Sequence, residues 1–277
     1  MRISVRAPYD VDWMVGFLAR RAIPELESVR DTTYFRTLSE PDQSLSVRVT
    51  NRALSVSIPE AAIGLAPALK SQVARVFDVA ADSAAIDAHL GRHPTLRAAV
   101  ENTPGLRVPG AFDGFELAVR AILGQQVSVA RATALARSLV QRYGALPDGR
   151  IRFPTPDCLA RQTPAEIGMP GRRGEAVRRL AEMVARGDLD ISDATRPNDL
   201  RKALTGIAGI GPWTAEYVAM RAGRDPDAFP ESDWVIQKQL DTTPAGARKI
   251  AEAWRPFRAY AVMYIWASAA AARVKAA

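Results

Sequence analysis

Apolar positions along this chain change their period twice, and the changes divide it. Between Ile3 and Ile58 lie short β-favouring runs, Ile3 to Arg6, Thr33 to Leu38, Leu45 to Thr50 and Leu54 to Ile58. Alternation with a period of two predicts strands with one buried face. Helical spacing interrupts these runs over Asp12 to Ala22 and follows them over Leu65 to Phe77. The combination predicts an antiparallel sheet carrying helices. From about Phe112 to Gly223 the spacing becomes helical, in Ala- and Leu-rich segments punctuated by Gly124, Gly144, Gly168 and Gly187. Asp233 to Ala272 is helical again, and Ala267 to Ala277 reads as a fraying helix end. The expected fold class is therefore α+β, mostly α.

Composition narrows the chemistry. At 277 residues the chain can bury more than one sizeable core. A formal charge of +7 favours a polyanionic partner. Cys158 is the single cysteine, which excludes an intramolecular disulfide and any iron–sulfur cluster held by four cysteines of the chain. Two histidines, His89 and His93, without a Cys/His cluster argue against a zinc site. No N-terminal apolar core of a signal peptide and no membrane-length apolar run is present, so a soluble, intracellular protein is expected.

The densest chemistry lies between Leu204 and Leu240. Leu204-Thr205-Gly206-Ile207-Ala208-Gly209-Ile210-Gly211 alternates small residues with Leu and Ile. Its apolar side chains can anchor two helices while the glycines take positive φ or admit another backbone. Pro212 suits a first helical position. Free amides there form an anion site without any basic side chain. Trp213 and Tyr217, four residues apart, share one helix face. The segment Pro230-Glu231-Ser232-Asp233 before an apolar run reads as a helix start capped by Ser232 or Asp233. A carboxylate at a helix N-terminus suits a group that stays anionic beside a developing cation. Spacing alone leaves Glu231 and Asp233 in competition.

Leu204 to Asp233 resembles the helix-hairpin-helix, Gly/Pro-rich loop and aspartate of one DNA glycosylase superfamily. Further matches run in order along nearly the whole chain, through Pro8-Tyr9-Asp10, Gly16-Phe17-Leu18-Ala19, Val119 to Gln125, Gly168-Met169-Pro170 and Ile265-Trp266. They are similar to the bacterial 3-methyladenine-DNA glycosylase II (AlkA-like) branch. The resemblance implies an N-terminal α+β domain over 1–87 and a helical domain with the helix-hairpin-helix over 112–225. It joins 88–111 with 226–277 as a second helical subdomain carrying the catalytic Asp.

It also implies a site and a reaction. Asp233 would be the catalytic carboxylate, acting either as an electrostatic stabiliser of an oxocarbenium-like sugar or as general base toward water. Phe17, Trp213, Tyr217, Trp234 and Phe257 would line the base pocket, where aromatic faces attract a cationic alkylated purine. Gln126 would be the DNA wedge. Gly209, Gly211, Arg172 and Arg173 would hold DNA phosphates, with a monovalent cation on the hairpin carbonyls near Thr205 and Ala208. In the strand-cleaving branch a Schiff-base lysine stands where this chain has Trp213, so a monofunctional enzyme is implied. The expected partner is double-stranded DNA containing alkylated bases, met in the bacterial cytoplasm at the nucleoid, with no cofactor and no obligatory protein partner. Other damaged or mismatched bases, or a non-catalytic DNA-binding role for the hairpin, are the alternatives.

Overall fold

The computed structural model describes residues 1–38, 44–147, 149–169 and 171–275. Pro170, and Ala276 and Ala277 of the expected fraying tail, lie outside the described residues. Five strands, β1 (Arg2–Ser4), β2 (Glu27–Arg30), β3 (Thr33–Thr37), β4 (Ser44–Val49) and β5 (Ala53–Ser57), form one antiparallel sheet in the order β1-β5-β4-β3-β2. Four match the alternating runs. β2 does not: Glu-Ser-Val-Arg carries too little apolar weight to read as a strand, and it exists because it pairs with β3, Glu27 opposite Arg36.

Alternation sends Tyr34, Leu45, Val47, Leu54 and Val56 to one face of the sheet. There they pack with Met14 and Leu18 of α1 (Val11–Ala19) and with Leu69 and Val73 of α2 (Ala66–Val76). Asp10 starts α1 by accepting from the Trp13 amide at 2.7 Å. A 3₁₀ turn, Glu60–Leu65, leads into α2, which the helical spacing alone runs from Leu65 to Phe77.

The helical part follows as α3 (Ser83–Leu90), α4 (Pro94–Asn102), α5 (Gly114–Leu123), α6 (Val129–Tyr143), α7 (Pro156–Ala160) and α8 (Arg172–Ala185). Then come α9 (Pro197–Thr205), α10 (Pro212–Arg221), α11 (Trp234–Leu240), α12 (Pro244–Ala251) and α13 (Arg258–Lys275). Residues of α5, α8, α10 and α13 share a second buried core. The chain is thus α+β and mostly α, as its periodicity indicates.

A buried ionic cluster ties the sheet to that core. Arg36 Nη1 of β3 donates to Glu116 of α5 at 3.1 Å, and Arg120 Nη1 donates to both Glu116 and Glu27 at 2.8 Å. Tyr34 completes it by donating to Glu27 at 2.7 Å. Two cations offset two anions, so desolvation is matched by paired, hydrogen-bonded partners.

Candidate active site

Asp233 ends the loop after α10 and caps α11. Its Oδ1 accepts from the amides of Val235 at 3.0 Å and Ile236 at 3.1 Å, so the cap is Asp233 and not Ser232. Two indoles complete the shell: Trp266 Nε1 donates to Oδ1 at 3.2 Å and Trp213 Nε1 donates to Oδ2 at 2.9 Å. The residue is 8% exposed and all four partners are donors, as an acceptor-only carboxylate requires. Oδ2, with one hydrogen bond, keeps acceptor capacity. Glu231 turns elsewhere, to a bidentate pair with Arg248 of α12. Geometry therefore separates the two carboxylates that spacing could not.

An aromatic platform stands beside the carboxylate. One turn apart on α10, Trp213 and Tyr217 stack at 5.3 Å with 14° between ring planes, and Trp266 tilts against Tyr217 at 6.2 Å. Behind the stack the chemistry becomes cationic. Arg221 donates to the Tyr217 hydroxyl at 2.7 Å and is itself fixed by the carbonyls of Pro109 and Gly110 at 2.7 and 2.8 Å. Burial pushes the Tyr217 phenol up, but Arg221 and Arg21 outweigh it and hold the group below its ordinary value. Arg21, pressed on the Phe17 ring at 3.6 Å, is lowered by burial to about 10.

Three expected pocket residues fall elsewhere. Phe17 is 1% exposed, with guanidiniums of Arg21 and Arg221 at 3.6 and 4.9 Å from its ring centre. It supports the site from beneath and offers no face to a base. Phe257 packs edge-on against His89 at 5.6 Å and Tyr260 at 6.2 Å. Trp266, nine residues later and so about 13 Å along the helix, is the aromatic that meets the site. Trp234 is 63% exposed and outside the stack, because the residue after an inward-facing cap points roughly 100° away around the helix. Sequence reasoning missed Trp266, Arg21 and Arg221. The clue for Trp266 was an indole on an apolar helix, where its N–H needs a partner.

The hairpin between α9 and α10 is built as its composition suggests, with one difference. Gly209 has φ +95, and a Cβ there would meet the Arg172 carbonyl at 2.9 Å. Gly211 has neither constraint: it caps α10 at φ −91, and a Cβ would meet nothing within 4 Å. Its face is open, with the first amides of α10 behind it. Among the described residues neither the Thr205 nor the Ala208 carbonyl accepts a backbone hydrogen bond, which fits a cation-coordinating role. No group of three or more His, Cys, Asp or Glu residues suited to a metal occurs among the described residues.

Gln125 joins three segments. Its side chain donates to the Gly209 carbonyl and the Thr214 hydroxyl, both at 3.0 Å, and its carbonyl accepts from Arg173 at 3.0 Å. Gln126 follows at φ +59, exposed at the tip of the turn. Arg172 and Arg173 open α8 without a carboxylate partner among the described residues, whereas Arg178 and Arg179 are paired with Glu175. The structure thus brings Gln126, Arg173 and Gly209 to one side of the molecule through Gln125, and Asp233 to Trp213 two residues beyond the hairpin.

Comparison with known proteins gives a consistent result. Residues 1–113 match the family described as the AlkA N-terminal domain. DNA-3-methyladenine glycosylase 2 of Escherichia coli (strain K12) is 37% identical over 275 residues, 95% of each chain. The probable bifunctional transcriptional activator/DNA repair enzyme AlkA of Mycobacterium tuberculosis is 36% identical over 96% of this chain, which spans 56% of that protein. Among solved structures, 3-methyladenine DNA-glycosylase from Archaeoglobus fulgidus superposes with a TM-score of 0.77 at 19% identity, over 96% of each chain. The 8-oxoguanine glycosylase/lyase of Clostridium acetobutylicum, in complex with DNA, gives 0.75 at 18% identity over 96% and 93%.

Proposed function

This chain belongs to the AlkA family of helix-hairpin-helix DNA glycosylases, and from that membership we propose that it is a monofunctional glycosylase of alkylated DNA. It hydrolyses the N-glycosidic bond of 3-methyladenine, 7-methylguanine and related lesions, in base excision repair. The observation that carries this reading is the Asp233 carboxylate, held by the N-terminus of α11 and by two indoles that also form an aromatic platform. A positively charged purine over such a platform gains roughly 0.5–2 kcal/mol, depending on desolvation. It is already a good leaving group, so no strong general acid is needed.

The steps follow from the residues. The target nucleotide must leave the stack, because its anomeric carbon is inaccessible in the duplex. We assign backbone anchoring to unit 112–225, through the amides behind Gly209 and Gly211 and through Arg172 and Arg173, with Thr205 and Ala208 carbonyls available to a monovalent cation. Gln126 fills the gap. Asp233, in the unit formed by 88–111 and 226–277, presents a fixed negative charge to the oxocarbenium-like sugar as the base departs and water attacks. Trp213 has no amine, so no Schiff base forms there and the DNA backbone is left intact. Among the described residues no helix is long and apolar enough to cross a membrane. We place the enzyme at the bacterial nucleoid.

Incubation with methylated duplex DNA, with chromatographic identification of released bases, tests this reading. Release of 3-methyladenine and 7-methylguanine without strand cleavage and without a borohydride-trapped adduct is expected. DNA binding without base release would instead leave only a phosphate-clamping module.

A further inference from the structure

A recess opens beside the turn that carries Gln126. Val127, Leu135 and Met169 give it apolar walls, Arg131 and Arg173 supply two guanidiniums, and Gly168 leaves one edge open. The space is about 360 Å³, within the range of about 300–1,000 Å³ usual for small-molecule pockets. Neither arginine has a carboxylate partner among the described residues, although most arginines nearby on α8 do. Arg173 is fixed by its bond to the Gln125 carbonyl. Arg131 stands in the first turn of α6, whose N-cap Ser128 accepts from the Arg131 amide at 3.2 Å. Unpaired guanidiniums against an apolar wall, next to an exposed left-handed residue, are unexplained by folding.

The ligand follows from what a wedge does to a duplex. Once a side chain occupies the place of an extruded base, the base across the helix has lost its partner. Its pairing edge then faces whatever stands next to the wedge. Guanidinium groups donate and never accept. Thymine offers two acceptors on that edge, O2 and O4, and cytosine offers O2 and N3. Adenine and guanine each offer one, with donors beside it that two guanidiniums would repel. A donor-only pair therefore selects pyrimidines, the natural partners of damaged purines.

We propose that the recess beside Gln126 receives the unpaired base of the opposite strand, and that Arg131 and Arg173 read it as a pyrimidine. The proposal rests on Gln126 acting as the wedge of a glycosylase. Apolar contact with Val127 and Leu135 holds the ring, and the guanidiniums take its two acceptors. Selectivity then has two sources: the lesion is recognised on one strand and the plausibility of its partner on the other.

The test uses duplexes in which a tetrahydrofuran abasic-site analogue faces T, C, A or G, with an undamaged duplex as reference. Binding is followed by fluorescence anisotropy at fixed salt, for the wild type and for Arg131→Lys, whose fold is checked by a thermal melt. Tighter binding opposite T or C, on the order of tenfold as one bidentate base contact provides, with loss of that preference in Arg131→Lys, supports the proposal. Equal affinity for all four duplexes overturns it. So does a uniform fall in affinity in Arg131→Lys that spares the base preference, which marks a backbone contact. If the wild type binds abasic duplexes no better than undamaged DNA, the glycosylase reading itself fails, and this proposal fails with it.

Discussion

The indole N–H of Trp213 donates to Asp233 Oδ2 at 2.9 Å, across twenty residues of sequence. The same ring stacks on Tyr217. One side chain thus belongs both to the platform that would hold a base and to the shell that fixes the carboxylate. A lysine at this position could attack the sugar; a tryptophan can only orient. Loss of either contact should disturb both functions together.

The second indole separates a donor from a ring. Trp266→Phe keeps an aromatic face against Tyr217 but deletes the hydrogen bond to Oδ1. A hydrogen bond to a charged group is worth about 1.5–3 kcal/mol, so single-turnover base release should slow by at least about tenfold. Phe257→Ala should do the reverse. Its ring packs on His89 and Tyr260, so a melt should show destabilisation of about 1–3 kcal/mol, while release by the folded enzyme stays near the wild-type rate.

The two hairpin glycines should respond differently to alanine. At Gly209 positive φ and the nearby Arg172 carbonyl forbid a Cβ. Gly209→Ala should cost about 1–3 kcal/mol of stability and weaken DNA binding through loss of structure. Gly211→Ala meets no atom, so its melting temperature should match the wild type while its DNA affinity falls, because the methyl group occupies the approach to the α10 amides. Equal affinity of Gly211→Ala and wild type would remove the hairpin from the DNA interface.

Acid sensitivity should trace to Glu116. Burial raises its pKa, but Arg36 and Arg120 outweigh burial and bring the group from 4.5 down to about 2. A carboxylate with a lowered folded-state pKa contributes stability that is full above the unfolded value and is lost as pH falls through the folded one. Wild-type stability should therefore decline between about pH 4.5 and 2. Glu116→Gln should be less stable at pH 7, because it strands two buried guanidiniums, and should decline less steeply in that window. Parallel curves for the two proteins from pH 5 to 2 would rule Glu116 out as the titrating group.

How much of this was legible in the sequence depends on the range of the forces involved. Periodicity located four strands and the helices, because burying one face is a local instruction. β2 was not readable, since Glu27–Arg30 becomes a strand only through β3. Hairpin, cap and carboxylate were readable because glycine, proline and aspartate act on their own backbone. Trp266 was not, because nothing local distinguishes an indole in a helix core from one whose N–H crosses to Asp233. Arg21 and Arg221 looked like ordinary surface charges. Only the fold reveals that they lie against Phe17 and Tyr217. The choice between Glu231 and Asp233 likewise needed Arg248, brought near by α12.

The most direct test of the account is Asp233→Asn. Asparagine can still cap α11 through its oxygen, but it carries no charge, and its amide would set donor against donor at Trp213. The variant should bind methylated or abasic-analogue duplex with near wild-type affinity while single-turnover release of 3-methyladenine falls by about 10²–10³, the range for loss of one fixed electrostatic stabiliser. Release within about tenfold of the wild-type rate, measured on the same DNA, would contradict the assignment of Asp233 as the catalytic carboxylate.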